Sequence, residues 1–206
     1  MRAQRDGEGH ELATETAAYA ARLERAARSR WRRWLDVQAP YRWNLRRLSL
    51  GRTLEVGCGV GRNLRHLGKD AVGIDHNALA VDFARQAGLA AFQPEGFRAS
   101  PHAQPSRFDT LLFAHVLEHM SRAAAVDLVR EHLDYLARGG RVVVITPQER
   151  GFASDETHVE FMDFVQIDRI LHESGLEPLR SFSFPFPRLF GRIFTHNEFV
   201  GIGRLP

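Results

Sequence analysis

Three groups of side chains in this 206-residue chain have the types and spacing to do chemistry. The first is Glu55-Val56-Gly57-Cys58-Gly59-Val60-Gly61, an acid followed by glycines at alternate positions. Alternate glycines permit a tight bend and let a ligand approach the backbone closely. A helix opening behind such a bend adds free N–H groups and a partial positive charge. The second is Asp75, at the end of the run Gly73-Ile74-Asp75-His76. A carboxylate at such a strand tip can accept two hydrogen bonds from a ribose diol, each worth about 1.5–3 kcal/mol. It would repel a 2′-phosphate. Its simpler role is to cap the next helix, and the two roles are compatible. Together the bend and the acid imply an adenosine-containing ligand. The third group is His115, His119 and His158, imidazoles whose ordinary titration range suits a general base near neutral pH.

Spacing narrows the ligand. A dinucleotide fingerprint reads G-x-G-x-x-G. Here position 62 is Arg, and the third glycine comes one residue early, at Gly61. A pyrophosphate also favours a neutral or positive lead-in, whereas Glu55 places a negative charge beside the turn. That suits a cationic ligand, or one carrying an amino group. A competing pattern is His115-Val116-Leu117-Glu118-His119, which matches the H-x-x-E-H of inverted zinc proteases. That chemistry needs both imidazoles on one helical face. His115 ends the strand-like run Phe108–Ala114, and the next helix begins near Ser121, so the two rings should diverge. No metal is expected. For His119 the bland alternative is a structural hydrogen bond with Glu118.

The elements that position these groups alternate. Short apolar runs at Thr53–Val56, Ala71–Ile74, Ala90–Phe92, Phe108–His115 and Arg141–Thr146 read as strands. Helical patterns fall at Arg62–Leu67, Asn77–Gln86 (with Asn77 a possible cap), Ser121–Ala137 and Phe164–Glu173. Gly139-Gly140 is expected to stop the third of these. Pro94–Arg107 and residues 148–162 read as loops. Glu177–Phe184 and Glu198–Gly203 read as final strands, joined by a segment rich in Pro and Phe whose rings suit either an apolar pocket or plain core packing. Strands alternating with helices imply a parallel sheet with helices on both faces. Ligands bind such sheets beyond the carboxyl ends of the strands, and there the candidate residues fall.

Composition excludes much else. Apolar and charged fractions of 44% and 26% are ordinary globular values. No apolar run approaches the roughly 18–20 residues of a membrane span, and the polar amino terminus has no signal core. A single cysteine, Cys58, cannot form an internal disulfide, so the cytoplasm is the expected setting. Of the 28 basic residues only Lys69 is not arginine, which explains a pI near 9.6 beside a net charge of +3. That charge is too small to argue for nucleic acid. The Arg-rich stretch before residue 48 reads as helices whose stems cover apolar surface.

LEVGCGVGRNL resembles motif I of the class I S-adenosylmethionine-dependent methyltransferases. VGIDHN resembles their second strand with its ribose-binding acid, FDTLLFAHVLEHM their fourth strand and turn, and GGRVVVITP their fifth strand. The likeness runs from Gly51 to Pro147 and is similar in kind to small-molecule enzymes such as those of ubiquinone biosynthesis. It implies a Rossmann-like, doubly wound, mostly parallel seven-stranded sheet. Residues 1–48 would form an N-terminal helical lid, and residues 49–206 one cofactor-binding unit. It implies that Glu55, Gly57, Cys58, Gly59, Gly61 and Asn63 hold the methionine and ribose portions of S-adenosyl-L-methionine. Asp75 would take the ribose hydroxyls, with His76 beside the adenine. Many relatives carry an Asp after the third strand. This chain has Phe92-Gln93-Pro94-Glu95-Gly96-Phe97 instead, so Gln93, Glu95, Gly96 and Phe97 are the adenine-side candidates. Ala114 and His115 would face the transferred methyl, and Tyr41 and Arg42 would reach in from the lid. His115 and His158 are the candidate catalytic groups. The segment after the fourth strand lacks the Asn/Asp-Pro-Pro-aromatic run of enzymes that methylate base amines. The expected acceptor is therefore a small metabolite, at oxygen, with no nucleic acid or membrane partner. Two rival readings stand beside this one: a non-catalytic nucleoside-binding domain, and an NAD-dependent oxidoreductase.

Overall fold

Strong β-formers in Leu111–Ala114 and Val142–Ile145 build the centre of the sheet, with every residue buried. The computed structural model describes residues 39–206. It contains strands β1 (Thr53–Val56), β2 (Val72–Ile74), β3 (Ala91–Phe92), β4 (Phe108–Ala114), β5 (Leu136–Pro147), β6 (Glu177–Phe184) and β7 (Glu198–Arg204). Their order across the sheet is β3-β2-β1-β4-β5-β7-β6. The pairings from β3 to β5 are parallel, and β7 runs antiparallel to both β5 and β6. The chain order reverses between β1 and β4, the switch point where such sheets bind ligands.

Helices α1 (Ala39–Arg47), α2 (Ala78–Gln86), α3 (Pro94–Arg98), α4 (Arg122–His132), α5 (Glu149–Phe152) and α6 (Phe164–Glu173) cover the sheet. Alternation along each strand assigns the faces. Leu111, Phe113, Val142 and Val144 pack with Val126 and Val129 of α4 and Ile167 and Ile170 of α6. Leu112, Ala114, Val143 and Ile145 pack on the opposite face with Leu45, Leu48 and Leu50. Cys58 closes a third cluster with Val81 and Ala84 of α2.

Several expected elements differ. Arg62–Leu67 is not an α-helix but a 3₁₀ turn at Leu64–His66, because Gly57–Gly61 must bend rather than start a helix. The loop after β3 opens with the short helix α3, whose first residue, Pro94, has its φ already set for a helix. The long helix starts one residue after its Ser121 cap but ends at His132, not Ala137. The Gly139-Gly140 pair lies inside β5 and does not cap a helix. A one-turn helix, α5, interrupts the polar loop after β5. Asn77 does cap α2, accepting from the Ala80 N–H at 3.1 Å. Trp31, Trp34 and the rest of the expected lid before Ala39 lie outside the described residues, and within it only α1 is placed. Among the described residues no helix is long and apolar enough to cross a membrane.

Candidate active site

The tips of β1 and β2 are tied together through the glycine bend. Gly57 and Cys58 both donate their backbone N–H to the Ile74 carbonyl, at 2.8 and 3.0 Å. Gly57 has φ +77°, and a Cβ there would stand 2.2 Å from Val116 Cγ2, so the bend admits only glycine at this point. Asp75, 8% exposed, closes the junction. Its Oδ2 accepts from the Gly59 N–H at 2.7 Å and its Oδ1 from the Asn77 N–H at 2.8 Å. The acid thus clamps the bend to the β2 tip, and each oxygen retains lone-pair capacity for a ligand.

Glu55 sits beneath the bend and is 1% exposed. Its Oε1 accepts from Asn63 Nδ2 at 2.7 Å, while Oε2 is buried without a hydrogen-bond partner. Burial pushes its carboxyl up to about 8, against the opposing pull of the Asn63 hydrogen bond. Asn63 in turn lines a cleft together with Tyr41, Asn44, Leu45, Ala114, His115, Ile145 and Glu198. That cleft holds about 270 Å³ of empty space, part of it open to solvent.

His115 stands at the cleft wall with φ +58°, a conformation a non-glycine residue rarely adopts. Strand β4 has ended, and the turn rotates the side chain across toward β7. Nε2 meets Glu198 Oε1 at 2.9 Å, and Nδ1 lies 3.3 Å from Glu118 Oε1. The Glu118 contact is an ion pair by distance without hydrogen-bond angles, since both Glu118 oxygens lack a hydrogen-bond partner. Desolvation lowers the imidazole pKa, and the two neighbouring carboxylates outweigh it and raise it. The ring is 43% exposed. Tyr41 donates its hydroxyl to the His196 carbonyl. Burial first, and the Glu198 charge second, push that phenol up well beyond its ordinary range.

Of the residues singled out in the sequence, Tyr41, Asn63, Ala114 and His115 meet at this cleft, with Glu55, Gly57, Gly59, Gly61 and Asp75 at its β1–β2 end. Gln93 joins the β3 tip to the β2 tip, its amide approaching the His76 carbonyl at 3.4 Å. Others stand elsewhere. Phe97 is 1% exposed in the core, edge-on to Tyr135. The Cys58 side chain packs inward, which leaves only its backbone at the bend. Glu95 and Gly96 are exposed on α3, with Glu95 near Arg98. Arg42 is half-buried on α1 and is not among the cleft-lining residues. His158 is not among the cleft-lining residues. Its Nδ1 meets the Phe152 carbonyl at 2.8 Å, and its ring stacks on Phe152. His119 does not bond Glu118. Its Nδ1 meets the Thr157 carbonyl at 3.1 Å, and burial lowers its pKa.

Glu198 is the charged cleft residue that sequence reading did not nominate. It opens β7, and the antiparallel register opposite Pro147 carries it to the carboxyl end of β5. A neighbouring network fixes it there. The fully buried Gln148 donates to the Glu198 carbonyl at 2.9 Å and accepts from Asn197 Nδ2 at 2.9 Å. An acid opening the apolar run Phe199–Gly203 was the available signal.

A seven-stranded sheet in this order, with a glycine bend after β1 and an acid at the β2 tip, defines an α/β nucleoside-binding fold of the methyltransferase type. A model of the methyltransferase domain family matches residues 19–181, and the chain belongs to that family and is an S-adenosylmethionine-dependent methyltransferase. No curated protein matches it by sequence. Among solved structures it is similar to an S-adenosylmethionine-dependent methyltransferase from Archaeoglobus fulgidus (16% identity, 80% of this chain and 92% of that one, TM-score 0.62). It is also similar to magnesium protoporphyrin IX methyltransferase from Synechocystis with bound S-adenosylhomocysteine (14%, 98% and 100%, TM-score 0.62). A third is a putative methyltransferase of Haloferax volcanii in complex with the activator Trm112 (17%, 93% and 96%, TM-score 0.64). At these identities the likeness is one of fold.

Proposed function

We propose that the protein methylates an oxygen of a small metabolite in the cleft between the tips of β1, β4 and β7. The observation that carries this reading is geometric. Glu198 is the one carboxylate that lines the cleft among the described residues, and His115 Nε2 holds its Oε1 at 2.9 Å. A hydroxyl acceptor loses a proton as its oxygen is alkylated, and a positioned base assists that step by about 10²–10⁴-fold. Glu198 is that base, with His115 holding its carboxylate in place. His115 itself is a positioning residue in this reading.

S-Adenosylmethionine, when bound, supplies a methyl group already activated on a sulfonium. The residues at the β1–β2 junction fit it. The unpartnered, buried Glu55 Oε2 suits the ammonium of its amino-acid part. The free lone pairs of Asp75 suit the ribose hydroxyls, with His76 and Gln93 on the adenine side. Alignment of acceptor and methyl group is the larger contribution, worth roughly 7–11 kcal/mol in well-oriented systems. The cytoplasmic setting and the absence of a nucleic acid or membrane partner belong to this reading and rest on the lone cysteine and the modest net charge. So does the division into a lid before residue 49 and a cofactor-binding unit after it.

The test is formation of S-adenosylhomocysteine with panels of phenols, carboxylic acids and amines, for the wild type and Glu198→Gln. Turnover with hydroxyl or carboxyl acceptors is expected, and Glu198→Gln should lower kcat with hydroxyl acceptors at least 100-fold while cofactor affinity stays unchanged. Turnover confined to amines, or an undiminished kcat in the variant, refutes it.

A further inference from the structure

A second polar cluster adjoins the cleft through Glu118, and its two histidines take no part in the methyl-transfer reading. Glu118, His119 and His158 each present one ligating atom, and the three atoms lie within 4.8 Å of one another. Sequence spacing argued against a metal because the two imidazoles of H-x-x-E-H diverge. They do: His115 turns to Glu198, while His119 turns to Thr157. The second imidazole comes instead from His158, on the segment after β5. That segment is strapped to Glu118 by backbone, since the Val159 and Glu160 N–H groups donate to the Glu118 carbonyl at 2.8 and 3.2 Å.

The side chains are prepared as ligands. Carbonyls only accept hydrogen bonds, so the contacts to Thr157 and Phe152 place the proton of both rings on Nδ1. Each Nε2 is left with its lone pair. Metal-bound histidines are oriented by such outer hydrogen bonds. The Thr157 hydroxyl donates to Asp155 Oδ1 at 2.8 Å, which leaves its oxygen to face His119 Nδ1 at 3.2 Å. The third member, Glu118, is 0% exposed, and neither carboxylate oxygen has a hydrogen-bond partner. A buried carboxylate without partners is costly unless something cationic compensates it, and the ion pair with His115 supplies only part of that.

We propose that Glu118, His119 and His158 form a site for a first-row divalent cation of the zinc type, with at least one coordination position left to water. Two imidazole nitrogens and one carboxylate oxygen match the ligand preference of such ions. Bonds of about 2.0–2.2 Å put tetrahedral ligands about 3.3 Å apart, so closure from 4.8 Å needs only side-chain adjustment. Glu118 touches both the ion site and His115, so the two sites share one residue.

The experiment uses the full chain stripped with a chelator, with Zn²⁺ and Co²⁺ as probes. Equilibrium binding, visible absorption of the Co²⁺ form and thermal melts are measured for the wild type, His158→Ala and His119→Gln. One Co²⁺ per chain, a tetrahedral Co²⁺ spectrum, displacement by Zn²⁺ and at least tenfold weaker binding in both variants are expected. Each stripped variant is checked for a cooperative melt, and either one that folds suffices for the comparison. No stoichiometric binding by the wild type, or binding unaltered in a folded variant, overturns the proposal. The readouts are independent of methyl transfer, so this site and the acceptor assignment stand or fall separately.

Discussion

Replacing Asp75 tests the cofactor junction most directly, because this carboxylate is asked to do two things at once. In the free protein it accepts the Gly59 and Asn77 N–H groups at 2.7 and 2.8 Å. Asp75→Ala orphans both donors in a nearly buried setting, at about 1–3 kcal/mol each. The expected loss of stability is therefore about 2–6 kcal/mol. Asp75→Asn keeps one acceptor oxygen and turns an amide toward the other donor, for an expected loss of about 1–3 kcal/mol. At about 2–4 °C per kcal/mol for a chain of this size, the Asn variant should melt about 2–12 °C lower. Binding loses more. Two hydroxyl-to-carboxylate bonds of about 1.5–3 kcal/mol each become one neutral bond. The affinity for S-adenosylhomocysteine should therefore fall by about 2–5 kcal/mol, at least tenfold and up to several thousandfold. Asn77→Ala is the control. It removes the cap on Ala80, worth about 1 kcal/mol, but leaves the Gly59 clamp, so it should lower the melting temperature with little change in affinity. Isothermal titration below the melting point of every variant reads the result. An Asp75→Asn protein that binds the homocysteine form within twofold of wild type would refute the assignment, whatever its stability.

Other outcomes follow from the same geometry. Gly57→Ala forces an alanine to φ +77° and its methyl to within 2.2 Å of Val116. A loss of at least about 1–3 kcal/mol and abolished cofactor binding are expected, read by denaturant melts and titration. Glu55 gives a pH signature. Its carboxyl is raised to about 8 in the fold against about 4.5 when unfolded, so the native state holds the extra proton between these values. Stability from this group falls as pH rises through that window, by about 1.4 kcal/mol per unit. Glu55→Gln should remove that slope, and denaturant melts of both proteins between pH 5 and 9 check it; parallel curves would contradict the burial argument. If the cofactor's ammonium pairs with Glu55, binding at neutral pH should also release a proton. Titrations in buffers of different ionisation enthalpy measure that release, and its absence separates Glu55 from the ligand.

The extent to which these features were legible in the sequence depends on how local their causes are. The tips of β1, β2 and β4 could be read because each is a short apolar run followed by a glycine, an acid or a histidine. Parallel order follows once helices intervene, so Glu55, Asp75 and His115 were brought to one edge by topology alone. The misplaced elements share a different cause. Arg62–Leu67 has a helical pattern, but the glycine bend uses up the turn that would have nucleated it. Gly139-Gly140 looked like a helix stop, yet β5 begins before it because Leu136 pairs with Phe108 across a register shift. Glu198, and the packing of His158 beside His119, were hidden for a third reason. Each depends on a long-range return of the chain, 83 residues from His115 to Glu198 and 38 from His119 to Thr157. No spacing rule spans such distances. The antiparallel return of β7 sets the first of these contacts. It places the chain's last acid against a histidine that stands at positive φ just past the end of β4. A sequence pattern could nominate that histidine, but the carboxylate it pairs with is visible only in the fold.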